Sequence, residues 1–362
     1  MQTFGQAFEP QDSLGQPQMT LNVRDALALA SEGVSLTREQ ARSAMEGIMS
    51  GEATAAQIGG FLLALRMKGE TVEEITGFAE AMRSFSGRVG TSRERLLDTC
   101  GTGGSGIHKF NISTASALIA SSASVRVAKH GNRSASGRAG SADVLEALGV
   151  NIGLTGSQAA DCLDRIGICF LFAQTYHPSM KHAAAPRREL GVRTVFNLLG
   201  PLTNPAGADR QVLGLYDASR TEQIASVLGN LGAKRAMVVA GLDGLDEISV
   251  SGPTRVSELK NGVVHTYDIT PEELGLERHP IEAILGGDAA DNARIVRAVL
   301  AGERGARRDI VLANAGACIY TAGAAADLAE GVRIAADIVD SGLALNKLEQ
   351  LVQVTEECGY VS

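Results

Sequence analysis

Between residues 22 and 86 the apolar positions recur with the period of an amphipathic helix, Ile58, Phe61, Leu62 and Leu65 marking one such stripe. Three capping boxes open successive helices: Thr37 with Gln40, Thr54 with Gln57, and Thr71 with Glu74. Gly51 and Gly69 stand where the preceding helices should stop, so this stretch reads as a small all-helical unit. After Arg95 the pattern changes to short apolar β-type runs: Leu96 to Cys100, Val125 to Lys129, Ile168 to Ala173, Gln211 to Tyr216 and Arg235 to Gly241. Helical patterns lie between them, Ser141 to Leu148 closed by Gly149 and Ser157 to Ile166 closed by Gly167, which is the alternation of an α/β sheet with helices on its faces. Asn261-Gly262 separates two further β-rich stretches as a hairpin turn, and from Asp288 the chain is Ala-rich and helical. The expected division is a disordered tail over 1–20, a helical domain over 21–92 joined by a returning segment near 186–205, and an α/β domain over 93–362.

Composition narrows the class. The chain has 362 residues, 41 acidic against 33 basic, and a net charge of -8, so its surface as a whole repels nucleic acid and anionic membrane. It has no Trp and only scattered Phe and Tyr, which leaves no stacking platform for single strands. Cys100, Cys162, Cys169, Cys318 and Cys358 form an odd set without metal-binding spacing, and they read as free thiols in a reducing cytoplasm. The first twenty residues are polar, with no basic-then-apolar leader pattern, and no segment approaches eighteen uninterrupted apolar residues. A cytoplasmic protein that uses neither membrane nor nucleic acid is expected.

The candidate chemistry is concentrated between Asp98 and Gly140. A glycine turn runs from Gly101 to Gly106 directly after a strand, where an open α/β sheet places its ligand crevice. Asn111, Ser113 and Thr114 open the next helix, whose unpaired amides suit an anion. Lys129, His130, Gly131 and Asn132 then supply a cation and donors on an open turn at the end of the second run. A lone glycine turn is equally a tight strand-to-helix connection, and a lone basic turn is equally solvated, but three such elements at successive strand ends describe a cradle for a phosphorylated small molecule. Asp243-Gly244-Leu245-Asp246-Glu247 follows another strand, and its carboxylates are either solvated or ligands for Mg²⁺. Tyr176-His177-Pro178 is followed by Arg187 and Arg188, guanidinium groups that suit a carboxylate or lie on the surface.

In order along the chain, DTCGTGG, NIST, KHGNRS, HPSMKHAA, RTVFNLLGPLTNP and DGLDE match the motifs of the anthranilate phosphoribosyltransferase family, which the chain resembles over residues 22–355. The resemblance implies an α/β fold of the nucleoside-phosphorylase type, a small helical domain plus a large domain with a central mixed sheet flanked by helices, assembled as a homodimer. It implies that Gly101, Gly104, Ser105, Lys109, Asn111, Ile112, Ser113, Thr114, Lys129, His130, Gly131, Asn132, Arg133, Ser134, Ala135, Ser136, Gly137 and Ser141 hold phosphoribosyl pyrophosphate (PRPP). Gly101, Asn132, His177, Arg187 and Gly200 would line the path of anthranilate, with Lys129, Asn132 and Arg187 nearest the chemistry. Ser113, Asp246 and Glu247 would hold two Mg²⁺ ions per subunit.

Two positions depart from the family pattern: Ser105 stands where the glycine turn usually ends in Asp, and Lys109 where a small hydroxyl residue is common. Each makes the cradle less negative. Lys109 is therefore expected to replace one metal ion in part, or else to point to solvent. Three other readings share parts of the pattern. A pyrimidine nucleoside phosphorylase lacks the KHGN and HPS-to-Arg187 blocks, a nucleic-acid-binding relative would need a basic face, and a paralogue taking a substituted anthranilate stays open.

Overall fold

The computed structural model describes residues 21–134 and 138–359. The tail expected over 1–20, and the expected PRPP contacts Ala135, Ser136 and Gly137, lie outside the described residues. Four helices come first: α1 (Val23–Ser31), α2 (Arg38–Met49), α3 (Ala55–Lys68) and α4 (Val72–Ser84). All three capping boxes are made, Thr37, Thr54 and Thr71 each exchanging bonds with the third helical residue. Seven strands then alternate with helices: β1 (Leu96–Gly101), α5 (Ile112–Ser122), β2 (Arg126–Gly131), α6 (Ser141–Ala147), α7 (Gly156–Ile166), β3 (Ile168–Phe172), α8 (Ala173–Tyr176), α9 (Lys181–Leu190) and α10 (Phe196–Leu199). They continue as β4 (Arg210–Gly214), α11 (Thr221–Asn230), β5 (Arg235–Gly241), β6 (Thr254–Lys260) and β7 (Val263–Ile269). The chain ends in α12 (Ala289–Leu300), α13 (Ala306–Ala322), α14 (Leu328–Asp340) and α15 (Leu343–Gly359).

The sheet runs β3-β2-β1-β4-β5-β6-β7. Its first five strands are parallel and the last two antiparallel, so it is mixed. Asn261 and Gly262 join β6 to β7 with both φ angles positive, 54° and 77°, the geometry of a tight two-residue hairpin. From β1 the chain steps outward one way to β2 and β3, then resumes at β4 on the other side of β1. The switch point therefore falls between β1 and β4, the position beyond whose strand ends open α/β sheets generally bind their ligands.

Alternation along the strands sends side chains to two cores. Val212, Met237 and Val239 join the core under α5, α13 and α15. Leu213, Ala236 and Val238 join a second core with α11 and the four N-terminal helices. Ala183, Val195, Phe196, Leu198, Leu199 and Leu202 lie in that second core too, so the chain returns to the helical unit from α9 onward. Half-buried Arg83 on α4 binds across the join, its Nε donating to the Leu202 carbonyl at 2.8 Å and Nη1 to that of Leu231 at 3.1 Å. All five cysteines are buried free thiols, and no helix among the described residues is long and apolar enough to cross a membrane.

Candidate active site

The glycine turn leaves β1 at the switch point. The Thr102 amide donates to the Gly214 carbonyl at the end of β4 (2.8 Å), and the Gly103 amide donates to Asp246 Oδ2 (3.0 Å). Gly103, Gly104 and Gly106 have φ of 66°, 79° and 79°, which only glycine adopts without strain. Gly101 and Gly214 are required for a different reason. A Cβ on Gly101 would lie 2.8 Å from Asp246 Oδ2, and one on Gly214 only 2.0 Å from the Asp246 carbonyl oxygen. These close approaches bring the glycine turn and the Asp246–Glu247 loop onto one spot, although they are far apart in sequence.

Asp246 and Glu247 are buried, and Lys109 reaches both: its Nζ lies 3.0 Å from Asp246 Oδ1 and 2.8 Å from Glu247 Oε1. Burial opposes the ionised Asp246 carboxyl, but the Lys109 ammonium outweighs it and holds the group below the usual carboxylate range, helped by Ser105. For Glu247 burial wins and its carboxyl is raised. The Lys109 ammonium, penalised by burial, is nonetheless raised by the two carboxylates. Lys109 does not point to solvent. Asp243 serves the loop instead, its Oδ1 accepting from the Leu245 amide at 3.2 Å and its Oδ2 from Ser249 Oγ at 2.5 Å.

The start of α5 lies alongside. Asn111 is its N-cap residue but makes no side-chain cap bond; Asn111 Oδ1 accepts from Asn292 Nδ2 at 3.0 Å, while Nδ2 donates to the Ala139 carbonyl at 3.4 Å. The first amides of the helix are thus free of that cap. Ile112 is buried in the core and its amide donates to the Phe110 carbonyl at 2.9 Å. The Thr114 hydroxyl is buried without a hydrogen-bond partner among the described residues. Lys129 Nζ donates to the Thr99 carbonyl at 2.6 Å and to Ser113 Oγ at 3.2 Å, so this buried cation ties β1 to the start of α5.

Beyond β2 the turn is pinned by a residue that sequence reasoning missed. Asp143, at the third position of α6, accepts from the amides of Gly140 (2.8 Å) and Ser134 (3.2 Å) and pairs with Arg133 (2.8 Å). The local signal is only half of a capping box, because Gly140 has no side chain to return the bond that Asp143 accepts. Arg133 is exposed and turned onto α6, binding Glu146 as well, rather than standing in the crevice. Ser141 Oγ donates to the Asn132 carbonyl at 3.3 Å, and Asn132 Oδ1 accepts from the Arg133 amide at 2.8 Å. A Cβ on Gly131 would sit 2.2 Å from Ser141 Oγ and 2.7 Å from the Phe170 ring, which fixes glycine there.

His130 and His177 are both buried, with ring centres 5.1 Å apart. Burial, followed by the neighbouring His177, lowers His130 to about 3, and burial lowers His177 to about 4. Both rings are neutral near pH 7, and the Nε2 atom of each is buried with no partner among the described residues. Gly200 closes this side, its carbonyl accepting from Thr203 Oγ1 at 3.0 Å. Arg187 follows Pro186 in α9 and lies with its guanidinium 4.9 Å from the Phe196 ring centre, without a carboxylate partner among the described residues. Arg193, also missed by sequence reasoning and lacking a local signal, donates to the Gly104 carbonyl and covers the Tyr216 ring at 4.2 Å, while its own carbonyl accepts from Arg66 on α3. It couples the glycine turn to the helical unit.

Among the described residues no cluster of three or more His, Cys, Asp or Glu side chains forms a metal cage. Two hard carboxylates do fit Mg²⁺, which is held by one or two carboxylates plus substrate phosphates, and buried Asp246 Oδ1 has no partner among the described residues other than the Lys109 ammonium. The Lys109 ammonium already contacts the same oxygens.

The architecture is thus a helical unit set against a mixed sheet, with the glycine turn and the Asp246–Glu247 loop meeting at its switch point. Residues 24–86 match the helical bundle domain of the glycosyl transferase family and residues 93–345 its a/b domain. The chain belongs to this family and, within it, to the anthranilate phosphoribosyltransferases. It is 56% identical to the anthranilate phosphoribosyltransferase of Brevibacillus brevis, over 88% of this chain and 94% of that one. The crystal structure of the Thermus thermophilus enzyme superposes with a TM-score of 0.88 at 45% identity, covering 92% and 99% of the two chains. The Saccharomyces cerevisiae enzyme in complex with PRPP and Mg superposes with a TM-score of 0.82 at 26% identity, over 92% and 98%.

Proposed function

We infer that this chain transfers the phosphoribosyl group of PRPP to the amine of anthranilate, giving N-(5-phosphoribosyl)anthranilate and pyrophosphate, in tryptophan biosynthesis. The observation that carries this reading is the meeting, at the β1/β4 switch point, of the glycine turn with the Asp246–Glu247 loop. In the reaction the bond from C1 of the ribose to pyrophosphate breaks, the leaving group takes the electron pair, the amine nitrogen bonds to C1 and then sheds a proton. The amides of the glycine turn beyond Gly103 and those of Ser113 and Thr114 at the start of α5 would stabilise the departing pyrophosphate. Arg187, a cation with no carboxylate partner among the described residues, suits the anthranilate carboxylate and would aim the amine at C1 with Asn132. No dedicated base is needed, because the amine is neutral at pH 7 and becomes acidic once bonded to carbon. When bound, Mg²⁺ supplies neutralising charge to the pyrophosphate oxygens.

We propose two Mg²⁺ ions per subunit in the loaded enzyme, one at Ser113 and one sharing the Asp246–Glu247 pair with Lys109. We further take residues 21–92 with the returning segment as one domain, and the working form as a cytoplasmic homodimer, to be checked by light scattering. Loss of anthranilate fluorescence should require both PRPP and Mg²⁺; fluorescence lost without PRPP, or kept in its presence, would sink the assignment. Substituted anthranilates run in parallel decide between this acceptor and a close relative of it.

A further inference from the structure

Lys109 is held in place from two sides. Its backbone bridges Leu285, and the neighbouring His108 carbonyl accepts from the Gly286 amide at 2.8 Å. Gly286 lies so close to Phe110 that a Cβ would meet its backbone at 2.8 Å, so this segment has little room to shift. From that anchor Nζ reaches Asp246 Oδ1, Glu247 Oε1 and, at 3.4 Å, the Asp246 carbonyl. The side chain of Lys109 is 15% exposed and those of its partners 2% and 8%. Two adjacent carboxylates buried this deeply cannot both stay ionised without a counter-charge. The ammonium is the counter-charge present, and it reduces the formal charge of the cluster from -2 to -1. A divalent ion on the same oxygens would have to displace the ammonium or bind directly beside it, against repulsion that low-dielectric surroundings magnify.

We propose that Lys109 is the built-in counter-ion of the Asp246–Glu247 pair, standing where a divalent cation would otherwise be needed, so that the free enzyme recruits no metal there. A divalent ion then arrives at this pair only on the pyrophosphate of the substrate, whose added negative charge makes room for it; this rests on the reading of the crevice as the PRPP site.

The test is made without substrate. Electron paramagnetic resonance counts Mn²⁺ bound by the wild-type protein, Lys109→Thr, Lys109→Arg and the double variant Lys109→Thr/Glu247→Gln. Wild type and Lys109→Arg should take up no Mn²⁺ at the pair. Lys109→Thr should gain one site, at least about ten-fold tighter than any in the wild type, and the double variant should lose it again. In thermal melts, Mg²⁺ should raise the midpoint of Lys109→Thr relative to EDTA and leave the wild type unmoved. A wild-type site as tight as that of Lys109→Thr overturns the proposal, and so does a folded Lys109→Thr that gains none. Anomalous scattering from wild-type crystals soaked in Mn²⁺ needs no variant, and a peak between Asp246 and Glu247 there would be equally fatal. Phosphoribosyl transfer by the wild type is assayed separately, so failure of the counter-ion and failure of the assigned reaction are told apart.

Discussion

Residue types at this site are set by what each group lacks as much as by what it touches. Lys129 spends its charge on the Thr99 carbonyl and the Ser113 hydroxyl, and Arg133 spends its charge on Asp143 and Glu146. Arg187 is the exception, for its guanidinium lies against the Phe196 ring with no carboxylate partner among the described residues, and burial lowers its pKa. Truncating it therefore orphans no buried carboxylate, and Arg187→Ala should fold with near-normal stability. A bidentate guanidinium–carboxylate contact contributes roughly 1.5–3 kcal/mol, so the KM for anthranilate should rise about ten- to hundred-fold while that for PRPP changes little. Lys at the same position should recover only part of the loss, since a point charge cannot reproduce the planar fork. Steady-state kinetics with each substrate varied in turn decide it: an equal rise in both KM values would place Arg187 elsewhere.

Helices and turns explain which parts of this arrangement could be read from sequence. Asp143 accepts from the amides of both Ser134 and Gly140 at the start of α6, so one carboxylate couples the helix to the segment that follows β2. Asp143→Ala should cost about 1–2 kcal/mol, the usual worth of a lost N-terminal cap, and raise the KM for PRPP several-fold. Urea denaturation beside PRPP kinetics checks this, and a destabilised variant with unchanged PRPP kinetics would separate cap from cradle. Signals confined to a few residues were legible: the three capping boxes, the Asn261-Gly262 turn and the stops at Gly149 and Gly167, because each satisfies backbone groups a short step away. The Arg133 contact with α6 is nearly as local, yet a basic turn reads the same whether its cation faces a ligand or a helix. What stayed hidden depends on chain neighbours far away. Nothing beside Gly214 announces that the Asp246 carbonyl will press against it, and nothing beside Lys109 chooses between solvent and two carboxylates more than a hundred residues on.

Across the whole molecule, the second core is shared by α1–α4, the returning segment, α11 and one face of the sheet, so the helical unit has no separate interior to keep when the sheet is lost. The two units should unfold together, and acid should reach both through one seam. His130 lies next to the end of β2 and His177 precedes the returning segment, with their rings packed near each other and away from water. In the unfolded chain each protonates near its ordinary 6.5, whereas in the folded protein His177 waits until about 4 and His130 until about 3. Below pH 6.5 the unfolded state thus binds more protons, and stability must fall as pH falls, at about 1.4 kcal/mol per pH unit for each histidine. By pH 5 the pair together removes on the order of 4 kcal/mol, a large share of a typical domain's stability. Asp246, held below its usual range, acts in the same direction at lower pH, while the raised carboxyls of Asp98 and Glu247 act in the opposite one. Comparing His177→Gln with the wild type isolates the histidine share, because the substitution removes one of the two proton traps and leaves the carboxyls in place. Urea midpoints measured from pH 7.5 to 5 should decline less steeply in His177→Gln, by about one histidine's worth; parallel declines would mean that His177 titrates in the folded protein as it does in water.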